Sequence, residues 1–98
     1  MIVQVTDDFA DWLAGLKDRT GATRIAARIQ RIEATGHFGD WKPISGAVAE
    51  LRFTFGPGYR VYFVRRGDEL IILLGGGDKD SQDRDIAKAI ELATEIED

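Results

Sequence analysis

Apolar positions along this chain recur at two different periods, and the switches between them mark its elements. At the N-terminus Ile2, Val3 and Val5 surround Gln4, which predicts a short, mostly buried strand over residues 1–5. Thr6, Asp7 and Asp8 supply N-cap candidates and first-turn acids for a helix. Phe9, Trp12, Leu13 and Leu16 then fall at i, i+3, i+4 and i+7, the stripe of an amphipathic helix. Gly21 punctuates the chain, and Ala22, Ile25, Ala26, Ile29 and Ile32 predict a second helix after it. On another face of that helix lie Arg24, Arg28 and Arg31. This basic stripe reads as a solvated surface, with contact to a partner or to RNA as the alternative.

From Gly36 to Ala47 the pattern breaks into a loop containing glycines and Pro43. Strands are predicted over 48–55, 59–66 and 69–75, and a closing helix over 80–98 with Ile86, Ala89, Ile90, Ala93 and Ile96 as its apolar stripe. The order β-α-α-β-β-β-α implies one α+β domain spanning residues 1–98. Its expected architecture is a mainly antiparallel four-stranded sheet with the helices packed on one face. Leu70–Leu74 is apolar without alternation, so it belongs inside the sheet, with the N-terminal strand on its far side.

Gly56-Pro57-Gly58 marks the central hairpin turn, and loop length decides which side chains share a face. A three-residue loop pairs Phe55 with Tyr59, Phe53 with Val61 and Leu51 with Phe63, giving one apolar face for the helices to cover. Arg52 and Arg60 then lie diagonally on the opposite, uncovered face, within reach of one ligand. Gly75-Gly76-Gly77 is expected to end the last strand and expose backbone N–H groups near Lys79. Asp78 or Asp80 can cap the final helix, whose N-terminus adds partial positive charge there.

Bulk properties narrow the partners. The net charge is −4, which by itself argues against nucleic acid, but the charge is unevenly spread. Residues 80–98 carry seven Asp/Glu and two Lys/Arg, whereas residues 41–79 carry six Lys/Arg and four Asp/Glu. The strand region is therefore locally basic. Absence of cysteine excludes disulfides and thiolate metal sites, and a single histidine argues against a transition-metal centre, so no cofactor is expected. No apolar run approaches the ~18 residues of a membrane span, and MIVQVTDDF lacks the makings of a signal peptide. A cytoplasmic protein is the expectation.

Several motifs, in order, carry a resemblance. They are F-A-D-W-L at 9–13, G-x-F-G-D-x-K at 36–42, E-L-R at 50–52, G-P-G-Y-R-V-Y-F at 56–63 and the G-G-D-K-x-S-Q-x-x-D-I run at 76–86. Together they resemble the RelE/ParE superfamily of bacterial toxins, and particularly its HigB-like, phage-associated branch. The resemblance implies a toxin held inactive by a helix-turn-helix, HigA-like antitoxin, contacting operator DNA only through that partner. It further implies ribosome-dependent, metal-independent mRNA cleavage, in which the ribose 2′-hydroxyl attacks the adjacent phosphate and leaves a 2′,3′-cyclic phosphate.

On that resemblance Arg60 matches the phosphate-clamping arginine, Arg52 a second-strand cation and Lys79 a basic position after the last strand. Lys42 is a further contact, Tyr62 and Gln82 complete the expected substrate-binding set, and no metal is involved. The sequence departs from the family at the last helix, where Asp83, Arg84, Asp85 and Ile86 stand and no tyrosine or histidine does. Gln82 cannot transfer protons at neutral pH. Catalysis then relies on positioning with lysines or a bound water, or the chain instead inhibits DNA gyrase as ParE-like members do, or persists as a detoxified antitoxin-binding module. The structural alternatives are an exposed ion pair of Arg60 with Glu50 or Asp68, packing for Tyr59, Tyr62, Trp12 and Trp41, and solvation for His37, Arg65 and Arg66.

Overall fold

Thr6 ends the first strand and starts the first helix in a single step. Its hydroxyl donates to the carbonyls of Leu73 and Leu74 and accepts from the Phe9 N–H, so one side chain ties the helix entry to the sheet. The computed structural model, which describes residues 1–96, runs β1 (Ile2–Val5), α1 (Asp7–Gly15), α2 (Arg19–Thr35), β2 (Trp41–Ser45), β3 (Val48–Arg52), β4 (Arg60–Arg66), β5 (Leu70–Gly77) and α3 (Gln82–Ile96). The expected helix at 80–98 thus starts two residues later, and its positions 97 and 98 lie outside the described residues. α2 begins before Gly21, not after it. Asp18 caps α2 by accepting from the Gly21 N–H at 2.9 Å, and a Cβ on Gly21 would lie 2.5 Å from that carboxylate.

The α+β class holds, but the sheet is not a four-stranded antiparallel one. It has five strands in the order β1-β5-β4-β3-β2, with β1 parallel to β5 and the remaining pairs antiparallel. The unforeseen strand is β2, in the segment expected to be a loop. Pro43 lacks an N–H and is tolerated because β2 is an edge, where the ladder shifts register between Pro43 and Ser45.

Helices also cover both faces rather than one. On the first face Phe9 of α1 and Ile25 and Ile32 of α2 pack on Leu51, Val61, Phe63, Ile71 and Leu73. On the second, Ala89 and Ala93 of α3 pack on Val48, Tyr62, Val64 and Leu74. Each fully buried Leu or Phe contributes on the order of 1.5–3 kcal/mol, so neither layer is optional in a chain this short.

The central hairpin keeps the expected faces with a different loop. Leu51 pairs with Val61 and Arg52 with Arg60, and the Phe53 N–H donates to the Tyr59 carbonyl at 3.0 Å. Residues 54–58 therefore form the connection, two more than expected. Because the ladder shifted by an even step, every side chain stayed on its predicted face. Arg52 and Arg60 are direct cross-strand partners, not diagonal ones, and α3 covers part of the face they share.

Candidate functional site

Where β3 and β4 meet the 54–58 loop, the sheet opens into a groove of about 530 Å³ lined by Asp40, Arg52, Arg60, Lys79 and the loop itself. Two glycines shape the loop. Gly56 and Gly58 adopt φ of 60° and 78°, a left-handed conformation that other residues rarely take. Gly58 lies so close to Lys79 that an added Cβ would sit 3.3 Å from the lysine Cβ. The Lys79 N–H donates to the Pro57 carbonyl at 3.4 Å, which brings the turn after β5 over the hairpin.

Arg60 is held from several sides. Its Nη1 donates to the carbonyls of Gly58 and Tyr59 at 2.9 and 3.1 Å, and its Nε lies 3.7 Å from Glu50 Oε2. Glu50 is fully buried and the Arg60 side chain 15% exposed, so this ion pair is an interior one rather than the exposed pair considered above. The guanidinium is thereby fixed with little rotational freedom, as a phosphate clamp requires.

Arg52 reaches Asp40 with Nε at 3.2 Å and Nη2 at 2.8 Å, both on Oδ1. The hydrogen bond and charge of Arg52 lower the Asp40 pKa, and Asp40 in turn raises that of Arg52. Both stay ionised across the physiological range.

Of the expected site residues, Arg52, Arg60 and Lys79 converge on the groove. The other three do not line it. Lys42 is exposed on the edge strand β2, cross-strand from Glu50. Gln82, at the start of α3, donates from Nε2 to Glu50 Oε1 at 3.0 Å and so supports the buried carboxylate. Tyr62 is 1% exposed, with a hydroxyl that has no hydrogen-bond partner among the described residues. Burial first, then the charges of Glu50 and Asp85, push its pKa well above the usual tyrosine value. Its ring borders a separate cleft of about 220 Å³ between α1 and α3, with Trp12 and Lys88.

The glycines after Leu74 do not end β5. Gly75, Gly76 and Gly77 pair with Tyr62, Val61 and Arg60, so much of their backbone is engaged in the ladder. At Gly76 and Gly77 smallness serves packing. A Cβ on Gly76 would meet the Trp12 ring at 2.4 Å, and one on Gly77 the Asp85 carboxylate at 1.8 Å. Asp78 does cap the turn into α3, accepting from the N–H groups of Asp80 and Ser81 at 2.9 and 3.1 Å.

Two residues that sequence reasoning left without a role shape the groove. Arg28, read as part of a solvated stripe, gathers the carbonyls of Phe38, Asp40 and Arg52 and stacks 4.6 Å from the Phe53 ring centroid. Burial lowers its pKa. Asp40, which Arg28 holds in place, is the groove's acid. Its only signal in the sequence was its position in the G-D-x-K loop.

Comparison with known proteins bears on the toxin–antitoxin class of the resemblance and not on its RelE/ParE, HigB-like branch. Residues 11–96 match the family described as phage-derived protein Gp49-like, and the chain belongs to that family. The family is one of toxin–antitoxin toxins, which assigns this chain a toxin role with a cognate antitoxin partner. An uncharacterised protein of Haemophilus influenzae (strain ATCC 51907 / DSM 11121 / KW20 / Rd) is 44% identical over 94 residues, covering 96% of this chain and 94% of its own length. No helix among the described residues is long and apolar enough to cross a membrane.

Proposed function

We propose that this Gp49-like chain is the toxin of a HigB-like type II module and a metal-independent, ribosome-dependent mRNA endoribonuclease, neutralised by a helix-turn-helix antitoxin. The observation that carries this reading is the convergence of Arg52, Arg60 and Lys79 on one open groove. Three convergent cations suit a phosphodiester whose negative charge grows as it passes to a five-coordinate phosphorane. Arg60, locked by Gly58, Tyr59 and Glu50, supplies a donor that needs no reorganisation, and Arg52 supplies a second from across the ladder.

In this reaction the 2′-oxygen attacks phosphorus and the P–O5′ bond breaks, giving a 2′,3′-cyclic phosphate and a 5′-hydroxyl. Arginines remain protonated throughout and only stabilise charge. Lys79, exposed at the groove rim, is the group that can protonate the departing O5′.

The test is cleavage of ribosome-bound mRNA by purified protein, with the new ends mapped chemically. The wild type should leave cyclic phosphates, and Arg52→Ala and Arg60→Lys should each slow cleavage by about 10²-fold or more. Arg52 is partly exposed and Arg60→Lys keeps a cation beside Glu50, so both variants should fold. Intact mRNA together with gyrase-dependent DNA breaks on induction would overturn the reading in favour of a gyrase inhibitor.

A further inference from the structure

We infer that Asp40 is the general base that takes the 2′-hydroxyl proton of RNA bound in this groove. The inference rests on the ribonuclease reading above and supplies a proton acceptor where the last helix offers neither tyrosine nor histidine. Among the described side chains lining the groove, Arg52, Arg60 and Lys79 are donors and Thr54 is a neutral hydroxyl, which leaves Asp40 as the one carboxylate among them. The other acids nearby, Asp80 beside Lys79 among them, do not line the groove. Glu50 is fully buried between Gln82 and Arg60, Asp78 accepts from the backbone ahead of α3, and Asp85 accepts from the Ser81 hydroxyl.

The geometry of Asp40 suits a base. Arg52 occupies Oδ1 alone, so Oδ2 has no protein partner among the described residues, and the side chain is 46% exposed. A phosphate bound by Arg52 would thus bring its own ribose beside that free oxygen. The backbone beneath is fixed. The Arg52 N–H donates to the Asp40 carbonyl at 2.9 Å, and Arg28 holds the Phe38, Asp40 and Arg52 carbonyls together. Gly39, at φ 73°, lets the chain pass close to Arg28, where a Cβ would sit 3.2 Å from the guanidinium Nε. Asp40 is therefore a preorganised catalytic residue, and Arg28 is a positioning residue behind it.

The protons balance. As the 2′-oxygen bonds to phosphorus its proton passes to Asp40 Oδ2. As the P–O5′ bond breaks, O5′ takes a proton from the Lys79 ammonium. Asp40 then releases its proton to water and Lys79 regains one. Arg52 lowers the Asp40 pKa, which keeps the acceptor form present at neutral pH and makes it a weak base whose effect rests on its placement beside the 2′-hydroxyl.

Asp40→Asn keeps the acceptor facing Arg52 and removes the ability to take a proton. In the ribosome-dependent assay it should lower the cleavage rate by about 10²–10⁴-fold, while affinity for ribosome-bound mRNA stays within about threefold. An mRNA carrying sulfur in place of O5′ at the scissile bond separates base from acid, because its leaving group needs no proton. That substrate should restore Lys79→Ala and leave Asp40→Asn slow. If Asp40→Asn cleaves like the wild type while the Arg52 and Arg60 variants are impaired, the base assignment is wrong and the ribonuclease reading stands. Relief of the Asp40→Asn defect by sulfur would equally overturn the assignment. A wild type that never cleaves mRNA would sink both.

Discussion

Glu50 lies behind Arg60 as its buried counter-charge, although it does not line the groove. Its carboxylate is fully buried, with Gln82 Nε2 at 3.0 Å and the Arg60 Nε at 3.7 Å. Removing one partner of such a pair strands a charge in a poorly solvated interior. Arg60→Ala should therefore destabilise the fold by about 3–5 kcal/mol, and Arg60→Ala with Glu50→Gln should recover most of that loss. Urea denaturation of the two variants checks this, and equal stability would show that Glu50 is better solvated than its burial implies. Tyr62 beside it makes a second case. Its buried hydroxyl has no partner among the described residues, so Tyr62→Phe should stabilise by about 1 kcal/mol at neutral pH. The pH dependence has a defined sign. Burial and the neighbouring acids raise the folded-state pKa, whereas an unfolded tyrosine ionises near ~10. Above about pH 10 the unfolded chain gives up a proton that the folded chain keeps, so stability falls as pH rises. Tyr62→Phe should flatten that fall, measured as urea midpoints at about pH 8 and about pH 10.5.

At the scale of elements, β5 shows how one strand serves both layers. Alternation along the strand puts Leu73 in the first core and Leu74 in the second, and the register shift opposite Tyr62 and Phe63 then turns Gly76, rather than Gly75, toward Trp12. Beyond it the glycines answer to their neighbours. Gly76→Ala, driven into the Trp12 ring, should destabilise by about 1–3 kcal/mol. At Gly75 a Cβ meets nothing within 4 Å, so Gly75→Ala should stay within about 0.5 kcal/mol of the wild type. Equal losses in thermal denaturation would mean that the strand resists any side chain there. This role for the glycines was hidden in the sequence, because a run of three glycines looks alike whether it turns, binds or makes room for a ring. Period was legible: the helical stripes of α1, α2 and α3 and the alternation of β3 and β4 follow from packing that each segment states for itself. β2 was not, since an edge strand needs no regular alternation and Pro43 speaks against a ladder. Nor was the role of Arg28, whose spacing matches a solvated face while its partners are backbone carbonyls from distant segments. Arg52 and Arg60 were placed on a common face because parity survives an even register shift. Loop length did not survive, and with it went their diagonal relation.

For the whole molecule the question is how a chain of net charge −4 would hold a polyanion. Architecture separates the charges. Residues 80–98 carry much of the acid, and the described part of α3 lies over the second core, whereas Arg52, Arg60 and Lys79 gather at the end of the central hairpin. At physiological salt the Debye length is ~8 Å, so exposed acids farther away than that act weakly on a phosphate in the groove. Local charge should then govern binding. Each phosphate neutralised on a single strand releases a counterion with a slope of about −0.7 in log affinity against log salt, so three groove cations predict a slope near −2. Arg52→Ala should bring it close to −1.4, reckoned at the same ~0.7 per contact. Lys88→Ala removes a cation paired with Asp8 outside the groove and should leave the slope unchanged. Titrating a short oligoribonucleotide across a salt series distinguishes the two cases. If both variants alter the slope equally, RNA reads the overall charge of the chain, and the groove has no privileged place in binding.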